Sequence, residues 1–115
     1  MREAIVRVQS VVAEASPRAV VRHIGNGIEA VEVVPTALAA FLSNLDSFTE
    51  TVTFAVALGG DTDTIASMAG ALSGAYLGEE ATPLLWREQA EGARSMGRLA
   101  SILFDHATAP LHTED

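Results

Sequence analysis

The chain has 115 residues, of which 49% are hydrophobic, and its 7 Lys plus Arg against 15 Asp plus Glu give a formal net charge of −8. A domain commonly has roughly 100–200 residues, so we assign residues 1–115 to a single domain. The apolar fraction argues against disorder. The absence of cysteine excludes a disulfide scaffold, a thiolate metal site and a cysteine nucleophile.

The charges are unevenly distributed. No Lys or Arg lies between Arg22 and Arg87, whereas eight acidic residues do. Because nucleic-acid binding needs cations that neutralise phosphates, we predict no nucleic-acid partner. The longest uncharged apolar stretch, residues 64–78, is shorter than the roughly 20 residues of a membrane span, and the N-terminus lacks a signal-peptide pattern. We therefore expect a cytoplasmic protein without a membrane partner.

Two helices are predicted at the start of the chain. Apolar residues recur at three- and four-residue steps from Ile5 to Ala15, which is typical of an amphipathic helix. Ser16 then has the character of an N-cap and Pro17 that of a first helical residue. Glycines around an Asn at residues 25–27 predict the end of this second helix.

A third and a fourth helix follow. Pro35 is typical of a first helical residue, and its helix is predicted to run towards Asn44. Ser47 and Glu50 have the spacing of a capping box, directly before the apolar run of residues 52–58. That run alternates with Thr and Ala, so a strand is also conceivable; the capping signal favours a helix.

Residues 64–76 are rich in Ala and Gly and predict a fifth helix, with Gly78 as its C-terminal cap. Ala66, Gly70 and Gly74 lie four residues apart on one face. Glycine in a helix costs about 1 kcal/mol relative to alanine, so close approach of another helix should compensate. We interpret this helix as central and buried.

Two more helices are predicted at the end of the chain. Thr82 and Pro83 open the first, Gly92 interrupts it, and apolar residues between 96 and 103 mark the second. Residues 108–115 form a tail that is expected to fray. The chain is thus predicted to be all-α, an orthogonal bundle of several helices joined by short turns.

The most unusual segment is the acidic loop, residues 59–64, with the sequence Gly-Gly-Asp-Thr-Asp-Thr. Burial of its two carboxylates would be costly without a counter-charge. Mg²⁺ prefers oxygen ligands and retains some waters, which suits Asp61, Asp63 and the hydroxyl of Thr64. A hard divalent cation is therefore the predicted ligand of this loop.

A purely structural interpretation is that Asp63 caps the following helix and Asp61 is solvated. Other phosphate and metal motifs do not match. An EF-hand needs a glycine at the sixth and a glutamate at the twelfth position, and a P-loop needs a lysine, a residue type the chain lacks.

Two motifs in order resemble the ADP-ribosylglycohydrolase family, and the resemblance covers nearly the whole chain. The acidic loop and the small residues after it resemble the family's C-terminal metal-binding signature. Upstream, Gly25, Asn26, Gly27 and Ile28, followed by Glu32 and residues 34–37, resemble its ligand loop and the helix after it. The spacing to Trp86, Glu91 and Gly92 also fits.

The resemblance implies an all-α, magnesium-dependent hydrolase that removes ADP-ribose from protein side chains or from a conjugate such as O-acetyl-ADP-ribose. Two Mg²⁺ ions would engage the ribose hydroxyls at the bottom of a cleft. By this analogy Asp61, Asp63 and Thr64 are metal ligands, Asp61 and Asp63 serve catalysis, and residues 25–28 (Gly25, Asn26, Gly27 and Ile28) line the ADP-ribose cleft. The partners implied are ADP-ribose and ADP-ribosylated proteins.

The departures from the family pattern are also informative. Family members are roughly three times as long, and their N-terminal part supplies a Thr-Asp-Asp metal cluster that is absent here. The chain thus looks like the C-terminal portion of a larger all-α hydrolase fold, with half of the metal ligands. We expect little or no activity from it alone, and either a homo-oligomer or a complementing N-terminal chain.

The remaining candidate residues also have purely structural interpretations. His23 precedes the glycine loop, but a helix-end histidine that favours the C-terminal dipole explains it better. Trp86 is more typical of a core residue than of an adenine-stacking one. Glu29 and Glu32 either orient the ligand loop or are solvated acids, and His106 and His112 receive no role.

The alternative function is a noncatalytic helical module that binds a ligand or a partner protein and uses the acidic loop only structurally. Replacement of Asp61 and Asp63 by Asn separates the two, because Asn caps a helix nearly as well as Asp but is a poorer ligand for Mg²⁺.

Overall fold

The computed structural model describes residues 2–14, 16–25 and 30–110. Over these residues the chain forms α-helices and one short 3₁₀ helix, Glu79–Ala81, and no strand. The α-helices are α1 Arg2–Val12, α2 Pro17–His23, α3 Ala30–Leu42, α4 Phe48–Ala57, α5 Thr62–Leu77, α6 Leu84–Gln89 and α7 Ala93–Thr108. The all-α prediction is confirmed.

The chain divides into two compact units, residues 1–82 and 83–115. The first contains α1 to α5 and the 3₁₀ helix, and the second contains α6 and α7. The assignment of residues 1–115 to one domain stays a prediction. None of the helices in the described ranges is both long and apolar enough to cross a membrane.

The core of the first unit is built where α5 packs against α3 and α4, and α1 against α3. Its members are mostly small or β-branched, which lets the helices approach closely. The buried residues include Val8, Val11, Val20, Val33, Ala37, Ala40, Phe54, Ala55, Ile65 and Ala69.

The third helix begins five residues earlier than Pro35 predicts. Ala30 is the first residue of α3, and Pro35 lies inside the helix. An interior proline removes a backbone hydrogen bond and costs about 3 kcal/mol or more. Pro35 is fully buried, however, and Val33 and Ala37 on either side belong to the core, so burial of this apolar segment offsets the cost. The prediction that Pro35 is the first helical residue is therefore wrong.

The capping signal before α4 is confirmed. Ser47 is the N-cap, and its Oγ accepts a hydrogen bond from the backbone N–H of Glu50 at 3.1 Å. The N–H of Ser47 donates to the carbonyl oxygen of Asn44 at 3.2 Å, a backbone partner in place of the glutamate side chain that a full capping box uses. Residues 48–57 are helical, so the strand alternative is excluded.

The central place of α5 is confirmed, but its burial is limited to one face. Its buried residues are Ile65, Ala69 and Ser73. A Cβ built on Gly70 would lie 3.6 Å from Val52 Cγ2, an ordinary van der Waals contact. The helices do approach closely there, yet the position does not require glycine.

The second unit begins with α6, whose first residue, Leu84, comes directly after Pro83. Gly92 adopts a left-handed conformation with φ +71° and precedes α7. Both predicted helices are therefore confirmed. The core assignment of Trp86 is wrong, since its side chain is 43% exposed, and residues 111–115 of the predicted tail lie outside the described ranges.

Candidate functional site

The acidic loop is shaped by two consecutive glycines between α4 and α5. Gly59 and Gly60 have φ values of +71° and +64°, in the left-handed region that glycine adopts without steric cost. This turn ends α4 and makes Asp61 the N-cap residue of α5. The paired glycines thus place both carboxylates of the loop at the start of one helix.

The side chains of Asp61 and Asp63 are not used as helix caps. The backbone carbonyl of Asp61 accepts the first helical hydrogen bond, from Ile65 N at 3.1 Å, but its carboxylate makes no capping bond. Asp63 lies in the first turn and is exposed. The interpretation of Asp63 as the cap of this helix is therefore wrong, and both carboxylates keep their oxygens for another partner.

The start of α5 also favours negative charge. Unsatisfied N–H groups give a helix N-terminus a partial positive charge, which stabilises carboxylates in the first turn. Asp61, Asp63 and Thr64 thus place two anionic groups and a hydroxyl within four residues of one helix end.

These three groups fit part of a magnesium site. Mg²⁺ takes oxygen ligands, often from only one or two carboxylates with water completing its shell, and the loop offers this type of donor. In the part of the chain that the structure describes, no group of three or more His, Cys, Asp or Glu side chains is arranged to hold a metal ion. The loop supplies two carboxylates, and the half-site that the family resemblance implies stays a prediction.

The second candidate element is the glycine loop at residues 25–28. Gly25 follows α2 with φ +109°, and its N–H donates to the carbonyl oxygen of Val20 at 3.2 Å. Asn26, Gly27 and Ile28 lie outside the described residues. The positive φ explains why glycine stands at residue 25, because other residues rarely adopt that conformation.

One side chain of α3 holds Gly25 in place, and a second lies close to it. Thr36 is fully buried, and its Oγ1 donates a hydrogen bond to the carbonyl oxygen of Gly25 at 2.6 Å. Glu32 lies one turn earlier on α3, and a Cβ built on Gly25 would be only 2.8 Å from Glu32 Oε1. The carbonyl of Gly25 is thus anchored to α3, the helix that packs against α5.

The sequence analysis assigns no role to Thr36 and leaves two roles open for Glu32, orientation of the ligand loop or a solvated acid. The available signal was the four-residue spacing of an acid and a hydroxyl in an otherwise apolar helix, which places both on one face. Nothing in that spacing indicates which loop the face contacts.

The histidine before the glycine loop lies at a helix end, as its purely structural interpretation predicts. His23 is the last residue of α2 and is exposed. Its Nε2 lies 3.9 Å from Glu14 Oε1, at the outer limit of an ion pair between exposed groups, which contributes little. His23 is therefore accounted for by its helix end.

Over the described residues, the protein is helical, with a carboxylate loop at the N-terminus of α5 and a glycine, Gly25, held by the neighbouring helix α3. The ADP-ribosylglycohydrolase family model matches residues 1–111. This chain belongs to the ADP-ribosylglycohydrolase family.

The chain is similar to several proteins named ADP-ribosylhydrolase ARH3. It is 49% identical to the Xenopus tropicalis protein over 83 residues, covering 64% of this chain and 24% of the relative. Identity to the Danio rerio protein is 41% over 106 residues, 84% of this chain and 29% of the relative. Identity to the Homo sapiens protein is 44% over 94 residues, 73% of this chain and 26% of the relative. The matched segments thus span only 24% to 29% of these relatives' length.

Proposed function

We propose that this chain forms part of a magnesium-dependent enzyme that hydrolyses ADP-ribose conjugates, either ADP-ribosylated protein side chains or O-acetyl-ADP-ribose. The observation that carries the proposal is the pair of carboxylates, Asp61 and Asp63, whose side chains are not spent on capping α5. The names of the similar proteins support the substrate class. A cytoplasmic location is part of the proposal and agrees with the lack of cysteine.

In this proposal Asp61, Asp63 and Thr64 hold Mg²⁺ as the C-terminal half of a two-ion site. When bound, Mg²⁺ neutralises the carboxylates and orients the ribose hydroxyls next to the scissile bond. As ligands of an ion that would contact the substrate, Asp61 and Asp63 are the catalytic residues that we propose for this chain.

The glycine loop has a complementary role in the proposal. Gly25, Asn26, Gly27 and Ile28 line the ADP-ribose cleft through backbone and side-chain contacts, and glycine lets the backbone come close to a ligand. Thr36 acts as a positioning residue, because its hydrogen bond fixes the carbonyl of Gly25.

The isolated chain should turn over little or no ADP-ribosylated substrate. It spans about a quarter of the relatives' length, and the family resemblance assigns the other metal ligands to the N-terminal part. A hydrolysis assay on the isolated chain tests this expectation. Turnover that Asp63→Ala abolishes would show that this chain alone holds a complete site.

The proposal is tested by calorimetric titration of ADP-ribose into the chain with Mg²⁺ present and with the metal chelated. Heat that depends on Mg²⁺ and is lost in the Asp61→Asn, Asp63→Asn double variant supports a working half-site. Binding with equal affinity in both buffers would favour the noncatalytic module, in which the acidic loop has no role in ligand binding.

A further inference from the structure

Glu32 lies against the residue at which the glycine loop begins. A Cβ built on Gly25 would be 2.8 Å from Glu32 Oε1, 3.1 Å from its Cδ and 3.5 Å from its Cγ. The end of the glutamate side chain, and not one oxygen alone, therefore occupies the space that a Cβ at residue 25 would need. Since only glycine lacks a Cβ, the two residues are complementary in shape.

The position of Glu32 is not that of a solvated acid at a helix start. Glu50 and Asp63 also lie in the first turns of their helices, α4 and α5, and both are exposed. Glu32 lies in the first turn of α3 but is half-buried. A helix N-terminus favours an acid without burying it, and within residues 2–14, 16–25 and 30–110 Glu32 belongs to no ion pair. Neither the helix dipole nor an ion pair therefore accounts for its packing on Gly25.

Glu32 and Thr36 contact Gly25 from the same face of α3, since they lie four residues apart. Thr36 Oγ1 donates to the carbonyl oxygen of Gly25 at 2.6 Å, whereas Glu32 lies on the side to which a Cβ would project. A glycine backbone populates positive and negative φ about equally, so the neighbours of Gly25 must select its φ of +109°. A side chain packed on this side of Gly25 excludes conformations that would move the backbone into it.

We infer that Glu32 is a positioning residue of the proposed ADP-ribose cleft: by packing against Gly25, it restricts the φ angle at which the glycine loop leaves α2. The inference rests on the proposed function for the identity of the ligand. It deepens that function, because Thr36 holds the carbonyl of Gly25 and Glu32 limits the other side of the same residue. The role depends on the length and shape of the Glu32 side chain and not on its charge.

Three substitutions of Glu32 separate shape from charge. Glu32→Gln keeps the shape and removes the charge, Glu32→Asp keeps the charge but shortens the side chain, and Glu32→Ala removes both. Where the contact is lost, Gly25 populates further φ values, and the apparent Kd rises as the fraction of binding-competent protein falls. A competent fraction of about one tenth weakens ligand binding about tenfold.

The variants are compared with the wild-type chain in two measurements. Calorimetric titration of ADP-ribose in the presence of Mg²⁺ gives the Kd. The three-bond couplings between the amide proton and the two Hα protons of Gly25, measured by NMR without ligand, report its φ angle. Glu50→Ala is the matched control, because it removes an exposed first-turn acid from α4, and circular dichroism verifies that every variant is folded.

We expect Glu32→Ala and Glu32→Asp to bind ADP-ribose about tenfold more weakly, with Gly25 couplings averaged over several φ values. Glu32→Gln and Glu50→Ala should match the wild type in both measurements. Wild-type affinity and couplings in Glu32→Ala would overturn the inference and leave Glu32 as a solvated acid. Equal losses in Glu32→Gln and Glu32→Ala would also overturn it, since the charge would then matter instead of the shape. Weaker binding with wild-type couplings would overturn it as well, because Glu32 would then act on the ligand and not through Gly25.

The inference and the proposed function fail in different ways. If the wild-type chain binds no ADP-ribose, the proposed function is contradicted, and the Gly25 couplings alone decide the inference. Averaged couplings in Glu32→Ala and Glu32→Asp, but not in Glu32→Gln, would uphold the control of Gly25 by Glu32. Unchanged couplings in all three variants would overturn it.

Discussion

The glycine loop and the acidic loop differ in how their polar groups are used. At Gly25 the backbone carbonyl and N–H both have partners inside the chain, Thr36 and Val20. At Asp61 and Asp63 the backbone is engaged in α5, but the carboxylates are not used as caps. The contacts at Gly25 therefore contribute to stability, whereas the acids are the groups that we propose to bind an ion. The first loop should therefore govern stability and the second ion binding.

The largest loss of stability is expected from Thr36→Val, which keeps the shape of the side chain and removes its hydroxyl. The carbonyl of Gly25 would lose its 2.6 Å hydrogen bond, and an acceptor left without its partner costs about 1–3 kcal/mol. Urea unfolding monitored by circular dichroism measures the change. Thr36→Ser retains the hydroxyl and serves as the control, and equal losses for both variants would show that methyl packing matters instead of the hydrogen bond.

Gly25→Ala should destabilise the chain by about 1–2 kcal/mol, because a residue with a Cβ is strained at φ +109°. The new Cβ would also lie 2.8 Å from Glu32 Oε1, although that flexible side chain can move. Comparison with the Glu32→Ala, Gly25→Ala double variant separates the two causes. If backbone strain dominates, removal of the glutamate side chain recovers little of the loss; full recovery would assign it to the contact.

Gly70→Ala should have the opposite sign and stabilise the chain by about 1 kcal/mol, the helix-propensity difference between the two residues. The space is available, since the new Cβ would lie 3.6 Å from Val52 Cγ2 and 3.8 Å from the ring of Phe48. The free energy of unfolding is again the measurement. A loss of stability would show that α4 and α5 need glycine at this contact.

The smallest effect on stability is expected from Asp61→Asn combined with Asp63→Asn. Neither carboxylate caps α5, so the expected loss is that of two charges at a helix N-terminus, about 0.3 kcal/mol each when salt screens them. Unfolding in metal-free buffer checks this. A loss of about 2 kcal/mol or more would mean that the acidic loop is structural.

The sequence predicted the local features of the fold well, because each depends on residues a few positions apart. The Ser47 cap of α4, the Gly78 cap of α5 and the break at Gly92 are confirmed. Pro35 misled the prediction, since the start of α3 is decided by burial of Val33 and Ala37 in the tertiary core, which can override a local preference.

In the candidate site, too, local features were predicted and features that depend on tertiary packing were not. The acidic loop was found from the types and spacing of Asp61, Asp63 and Thr64, which lie together in the sequence. The anchoring of Gly25 by Thr36 was not predicted, because it joins residues eleven positions apart in different elements and depends on how α2 and α3 pack. Asp61 is the N-cap residue of α5, but its side chain makes no capping bond. This outcome depends on backbone geometry, and no residue pattern predicts it.

The most direct test of the account is titration of Mg²⁺ into the wild-type chain and into the Asp61→Asn, Asp63→Asn variant, followed by ¹H–¹⁵N NMR. The account predicts saturable chemical-shift changes at the start of α5 in the wild type. In the variant, the affinity for Mg²⁺ should fall by about 100-fold or more, because loss of groups that contact the metal should cost at least as much as loss of groups that only support such ligands. Identical titrations of the two folded chains would contradict it, and the acidic loop would then be no metal site.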